Sequence, residues 1–270
     1  ACYHRINIIM LGLIMTEFEK DVAQRLANTQ KNVSMCETAG QFLHASTQPQ
    51  YSYNFFWQGR PIIQYPQDIV AMQELIWSIK PDLIIETGIA HGGSLIFNAS
   101  MLAQLDMAEA IEAGETIDPR QSKRKVLGID IDIRAHNRMA IEAHPMASRI
   151  QMIEGSSIAS EVTEQVKSIA TGYARVMICL DSNHTHAHAR AELEFYAPLT
   201  SVGSYCVVFD TVIEDLPAEM FPERPWGPGN NPKTAVWDYL KTHPEFEIDK
   251  MIDNKLLISV APDGYLKRIF

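Results

Sequence analysis

The sequence predicts an α/β protein: a doubly wound, mostly parallel sheet with an N-terminal helical extension. Three observations carry this. From about residue 68 onward, short apolar runs alternate with segments of helical periodicity. The first run ends in a glycine-rich turn, Gly88 to Ser94, that opens a helix. Later runs end in acidic residues, at the strand ends where an open α/β sheet presents its ligand-binding groups.

The elements follow in order. Residues 1 to about 50 read as helical and polar. Residues 51–67 (YSYNFFWQGRPIIQYPQ) are rich in aromatics and broken by Gly59, Pro61 and Pro66, and read as loop. From Asp68 to Lys80, Ile69, Val70, Met72, Leu75, Ile76 and Ile79 recur at helical spacing. Strands are expected at Leu83–Glu86, Lys125–Asp130, Arg149–Glu154, Arg175–Asp181 and Ser204–Asp210, with a late strand at Leu256–Val260. Helices are expected at Leu95–Leu105, Ile158–Ile169, Thr185–Tyr196 and Ala235–Lys241. Pro222–Pro232 is a turn-rich excursion.

With 270 residues, 46% of them hydrophobic, the chain can bury one large core. It is read as one domain, residues 68–270, preceded by an extension, residues 1–67, that offers a lid for an acceptor. A net charge of −10 without a basic stripe argues against nucleic acid. No apolar run reaches the roughly 18–20 residues of a membrane span. Arg5 before the apolar run Ile6–Met15 fits a signal peptide, but Thr16-Glu17-Phe18-Glu19 follows without a small-residue cleavage site. An amphipathic or interface helix is the expectation. Cys2, Cys36, Cys179 and Cys206 have no zinc spacing and suit reduced thiols in a cytoplasmic protein.

At the first strand end, Gly88 permits a tight turn, and Gly92 and Gly93 allow backbone to approach a ligand; packing of helix on sheet would ask for the same glycines. Glu86 lies two residues before the first glycine, where its charge would oppose a pyrophosphate. It suits the amino group of a zwitterionic ligand, which favours S-adenosylmethionine over NAD. At the second strand end, Asp130 and Asp132 share a face if the strand continues, and Asp130 is the favoured acceptor for ribose hydroxyls, its alternative being a solvated turn carboxylate. Ser156 follows the third strand, where small residues border an adenine or cap the next helix. Asp181 and Asp210 end the fourth and fifth strands and converge on one crevice. Such a pair repels unless a cation lies between them or one stays protonated, and oxygen ligands favour Mg²⁺, Ca²⁺ or Mn²⁺. Asp210 as a helix cap or a loop-bonding residue is the structural alternative. His184 is the expected general base, or else a polar residue on a first helical turn. His184, His186 and His188 cannot all converge from one helix, which argues against a three-histidine zinc site.

Together these residues resemble the cephalosporin hydroxylase and rhamnosyl O-methyltransferase family of bacteria. The likeness is carried by YSYNFFWQGRPIIQYPQDI, KPDLIIETGIAHGGSLI, GIDIDIR, EGSS, LDSNHTHAHARAELEFYAPL and FDTVIEDLP, from about residue 51 to the end. It implies a Rossmann-like methyltransferase with S-adenosylmethionine as donor and a Mg²⁺ site. Glu86, Gly88, Gly92, Ser94, Asp130 and Ser156 would line the donor, with Asp181 at the same edge; Asp181 and Asp210 would hold the metal. The family's active site is similar to that of catechol-type O-methyltransferases, where the metal binds the acceptor hydroxyl and a nearby base, here His184, takes its proton. The implied acceptor is a sugar hydroxyl of a glycan, glycolipid or natural product. The resemblance and the apolar N-terminal run favour a homo-oligomer. One departure bears on the metal: relatives tend to carry an acidic residue where this chain has Phe209, so the site would be weaker, filled out by water or Thr211, or absent. Tyr51, Tyr53, Phe56, Trp57 and Trp226 would form the acceptor lid, or else pack or meet another subunit. Two other functions are weighed. A hydroxylase or oxygenase component would need a facial triad, for which His243-Pro244-Glu245 supplies the lone HxE. A non-catalytic S-adenosylmethionine-binding protein would explain Phe209.

Overall fold

The computed structural model describes residues 15–270. The apolar run that begins at Ile6 lies outside the described residues except for Met15. Thr16 forms a capping box with Glu19 at the start of α1 (Glu17–Thr29), and α2 (Val33–Thr47) follows. A two-stranded hairpin, β1 (Phe56–Trp57) and β2 (Arg60–Pro61), leads to α3 (Pro66–Ile79), which starts at the proline because a first-turn residue needs no N–H.

The domain proper then alternates as expected: β3 (Leu83–Thr87), α4 (Gly93–Ala113), β4 (Lys125–Asp130), α5 (Ala135–Glu142), β5 (Ile150–Glu154), α6 (Ser160–Ala170), β6 (Val176–Leu180), α7 (His186–Tyr196), β7 (Tyr205–Val208), α8 (Pro232–Tyr239), β8 (Phe246–Ile248), α9 (Lys250–Leu256) and β9 (Tyr265–Arg268). The main sheet has seven strands in the order β5-β4-β3-β6-β7-β9-β8. All neighbours pair in parallel except β9, which runs antiparallel to both β7 and β8. The order reverses between β3 and β6, so the crevice for a ligand opens beyond Thr87 and Leu180.

Alternate strand residues feed two cores. Ile84, Val126, Met177 and Val207 pack with α3, α4 and α9 on one face. Leu83, Ile85, Leu127, Ile178 and Val208 pack with α6, α7 and α8 on the other. Burial of both faces is why these strands read as continuous apolar runs.

One expected strand needs correction. Leu256–Val260 is not a strand. Leu256 ends α9, Leu257 takes a left-handed φ of +58°, and the Val260 amide donates to the buried Asp68 carboxylate at 2.9 Å instead of to a neighbouring strand. The last two strands lie at β8 and β9. Helix α5 was not foreseen either. The extension packs on the domain: Ile62 and Tyr65 share a core with Ile84 and Leu95, Leu43 packs against it, and Pro61 lies against the start of α4.

Candidate active site

The loop after β3 is held from both sides. Gly88 sits at φ +90°, and a Cβ there would lie 2.0 Å from the Asp181 carbonyl oxygen, so β6 can approach only a glycine. Asp130 ends β4, and its Oδ2 accepts the amides of Ile89 (2.8 Å) and Ala90 (3.2 Å) while Oδ1 accepts the Asp132 amide (3.1 Å). The loop carbonyls are taken up by Arg60, which donates to His91 O at 2.9 Å, and by Asn137, which donates to Ala90 O at 2.9 Å. Arg60 and Asn137 were not foreseen; they lie on the hairpin and on α5, 31 and 47 residues from the carbonyls they hold.

The other two glycines of the loop are crowded by the protein itself. A Cβ on Gly92 would meet Ile141 at 2.5 Å, and one on Gly93 would meet Pro61 O at 2.0 Å. Their bareness accommodates the protein's own packing, the alternative weighed for them. The Asp132 side chain is 73% exposed and faces Arg134.

Glu86 is buried on β3, its carboxylate accepting from Ser94 Oγ and from Asn98 Nδ2 (2.9 Å). Ser94 and Asn98 are four residues apart on α4 and so share the face turned to β3. Burial raises the Glu86 carboxyl to about 7, against the hydrogen bonds that pull it down. A pocket opens here, lined by Glu86, Ser94, Asn98, Gln64, Asp68 and Asp181 among others. Ser156 lies partly buried after β5. It does not cap α6, whose N-cap is Ala159 without a side-chain bond. Its neighbour Ser157 is the anchored residue, with Oγ 3.0 Å from His188 Nε2 and its carbonyl accepting from the buried Tyr196 hydroxyl (2.5 Å).

A second pocket adjoins the first across Asp181 and Phe209, which line both. Here ligand atoms of Asp181, His184 and Asp210 lie within 4.8 Å of one another. A single cation with ~2.0–2.6 Å bonds spans that separation. Desolvation first, then Asp210, Glu86 and Glu192, push the Asp181 carboxyl well above its usual range. Asp210 takes a left-handed φ of +56° and makes no side-chain cap bond to the 3-10 turn that follows. Its Oδ2 instead faces His184 Nε2 at 3.2 Å. The helix-cap alternative for Asp210 therefore fails. Thr211 does not replace the missing acid: it is buried and donates to Pro262 O at 2.6 Å. Phe209 is buried and packs into the core.

His184 precedes α7, whose N-cap is Thr185, so it is not on a first helical turn. His186 pairs with Thr234 Oγ1 (2.8 Å) and His188 with Ser157, so the three histidines have separate surroundings. Trp226 meets the His184 ring edge-on at 4.9 Å, and Arg224 lies over Trp226 at 5.2 Å. The excursion carrying them is tied down by Glu214, which accepts from Gly229 N (2.7 Å) and Asn231 Nδ2 (2.5 Å). Of the expected aromatics, Trp226 alone adjoins His184. Trp57 donates to Ser100 Oγ (3.0 Å) and packs on Phe97, Tyr51 packs on Phe42, Phe55 and Tyr65, and Tyr53 and Phe56 are exposed. His243 stacks flat on Tyr239 at 3.7 Å, beside the β8 edge and away from this cluster.

The family model for rhamnosyl O-methyltransferase/CmcI matches residues 49–269. The chain belongs to that family. It is an S-adenosylmethionine-dependent methyltransferase. The rhamnosyl O-methyltransferase of Mycobacterium tuberculosis is 30% identical over 206 residues, 74% of this chain and 73% of that one. The enzyme of that name from Mycobacterium leprae is 27% identical over 216 residues, 78% and 82% of the two chains. Among solved structures, a CmcI structure with Mg and SAM aligns with a TM-score of 0.51 at 18% identity, over 81% of this chain and 78% of that one, a likeness of fold. Among the described residues, no helix is long and apolar enough to cross a membrane.

Proposed function

We propose that this enzyme methylates a sugar hydroxyl on a glycan, glycolipid or natural product, with a divalent cation held by Asp181 and Asp210. The observation that carries the reading is the convergence of Asp181, His184 and Asp210 at the carboxyl edge of the sheet, with Asp181 shared between the two pockets. The names of the mycobacterial relatives support a rhamnosyl acceptor.

The residues fit the groups this reading requires. The Glu86 carboxylate suits a cationic amino group, and Asp130 keeps about one lone-pair site beyond the three amides it accepts, enough for one ribose hydroxyl. Ser156 would border the adenine. A cation at Asp181 and Asp210 supplies Lewis acidity that lowers the acceptor hydroxyl's pKa. His184, held through Nε2 by Asp210, would take the hydroxyl proton at its other ring nitrogen, Nδ1. The oxygen then attacks the sulfonium methyl in line, and S-adenosylhomocysteine leaves. Trp226 offers an apolar platform for a sugar's C–H face beside His184. Holding donor and acceptor in line supplies much of the rate.

The same convergence favours a second role for His184, as third metal ligand; imidazole with two carboxylates suits Mn²⁺ or Fe²⁺ better than Mg²⁺. The experiment is methyl transfer from S-adenosylmethionine to a panel of rhamnosides, with EDTA and with Mg²⁺ or Mn²⁺ restored, alongside metal titration of His184→Ala. The reading expects a mass gain of one methylene on the sugar, lost with EDTA. Transfer undiminished by EDTA would remove the metal. His184 as base leaves metal affinity intact in the Ala variant and collapses turnover; His184 as ligand weakens metal binding itself.

A further inference from the structure

Two buried side-chain oxygens in the donor pocket have no hydrogen-bond partner: Gln64 Oε1 and Asn98 Oδ1. Both residues are more than nine-tenths buried, Gln64 with 7% and Asn98 with 2% of its surface exposed. Buried orphan acceptors are costly, and a native protein keeps few without a reason. The orientation of Asn98 is fixed. Its Nδ2 donates to Glu86 Oε2 at 2.9 Å, and against the ionised Glu86 that an ammonium would face, turning the amide would set two acceptors against each other. So Asn98 Oδ1 stands unsatisfied beside the Glu86 carboxylate, in a pocket that Gln64 closes from the segment before α3.

Gln64 has no side-chain hydrogen bond to any described residue, so no structural role explains a buried amide there. The segment's placement is specific: Pro61 lies against Gly93 so closely that a Cβ would be 2.0 Å away, and Ile62 is buried in the core. The chain thus brings a polar side chain to the donor pocket and leaves it unpaired.

We propose that Glu86, Asn98 Oδ1 and Gln64 Oε1 form a three-acceptor cradle for the α-ammonium group of the methyl donor. An ammonium carries three N–H donors and no acceptor, which matches a carboxylate flanked by two amide oxygens. Gln64 is therefore a donor-binding residue contributed from outside the β3–α4 loop, by the segment between the hairpin and α3. The inference rests on the donor-pocket reading and adds which group of the donor each residue takes.

The test is calorimetric titration with two probes. S-adenosylhomocysteine carries the amino-acid end; 5′-methylthioadenosine keeps the nucleoside and sulfur and lacks that end. Gln64→Met removes the acceptor at similar length, and Gln64→Glu restores one; thermal melts verify that each is folded. Hydrogen bonds to charged groups are worth about 1.5–3 kcal/mol, so Gln64→Met should weaken S-adenosylhomocysteine about 10- to 100-fold. It should leave 5′-methylthioadenosine unchanged, and Gln64→Glu should keep the preference for the amino-acid probe. An unchanged affinity ratio between the two probes in Gln64→Met overturns the cradle while leaving the donor pocket standing. Failure of the wild-type protein to bind S-adenosylhomocysteine overturns the pocket reading itself, and the cradle with it.

Discussion

Gly88→Ala tests the idea that the donor loop and the Asp181 edge are one mechanical unit. The added Cβ would lie 2.0 Å from Asp181 O, 2.6 Å from its carbonyl carbon and 3.1 Å from Ser182 Cα. All three are backbone atoms, and no side chain can rotate aside. The end of β6 is further fixed by Asp181 N donating to Thr87 O at 2.9 Å. Two costs add. A left-handed φ costs an L-residue roughly 1–2 kcal/mol, and overpacking that forces backbone shifts costs about 1–3 kcal/mol. The sum, about 2–5 kcal/mol, lowers the melting temperature by about 5–20 °C in a chain of this size. Gly114→Ala separates the terms: its φ is +69° with nothing within 4 Å of the added Cβ, so it should carry the first cost alone. The assay is thermal unfolding of both variants, with S-adenosylhomocysteine and Mn²⁺ titrations of Gly88→Ala. Weaker binding of both ligands is expected because Asp181 is displaced. A Gly88→Ala protein that melts with wild type and binds both ligands normally would refute the reasoning.

Glu86→Gln should remove a pH dependence. The Glu86 carboxyl lies at about 7 when folded against an ordinary 4.5, so its protonation stabilises the fold. That contribution is complete below pH 4.5 and is lost as pH rises to 7, by about 3 kcal/mol over the window. The ligand-free Gln variant should therefore gain on wild type between urea denaturations at pH 5 and pH 8 while binding donor more weakly; parallel pH profiles would contradict this. Arg149, buried at 2% exposure, pairs with Asp106, which also holds Arg124. Arg149→Ala should cost about 2–4 kcal/mol in urea unfolding, since one partner of a buried network is removed and Arg124 remains. This network sits at the amino ends of β4 and β5, opposite the site, so donor affinity at 25 °C should be unchanged. Asp130→Asn keeps an oxygen for the loop amides and should lose donor affinity with a near-normal melt, whereas Asp130→Ala should lose both; equal melts for the two variants would deny Asp130 its role in the loop.

The strand–helix alternation was legible because strands buried on both faces are short apolar runs, and the acids ending them stand out against that background. Apolar content misled at Leu256–Val260, where the backbone is satisfied by Asp68, 192 residues away from Val260, and not by a strand partner. Gly92 and Gly93 signalled a tight place correctly, but the neighbours are Ile141 and Pro61, which no local pattern announces. The site splits the same way. Glu86, Asp130, Asp181 and Asp210 follow from strand ends. Asn98 had a signal, its spacing of four from Ser94 on the helix that faces Glu86. Gln64, Arg60 and Asn137 had none, since each reaches the site through tertiary packing.

The central claim is that Asp181 and Asp210 hold a divalent cation beside a donor whose amino-acid end lies at Glu86. The most direct measurement is a crystal structure with S-adenosylhomocysteine and Mn²⁺, the metal located by its anomalous scattering. The account predicts an anomalous peak bonded to Asp181 and Asp210, with the S-adenosylhomocysteine ammonium against Glu86. A peak elsewhere, or none with S-adenosylhomocysteine bound, would contradict it.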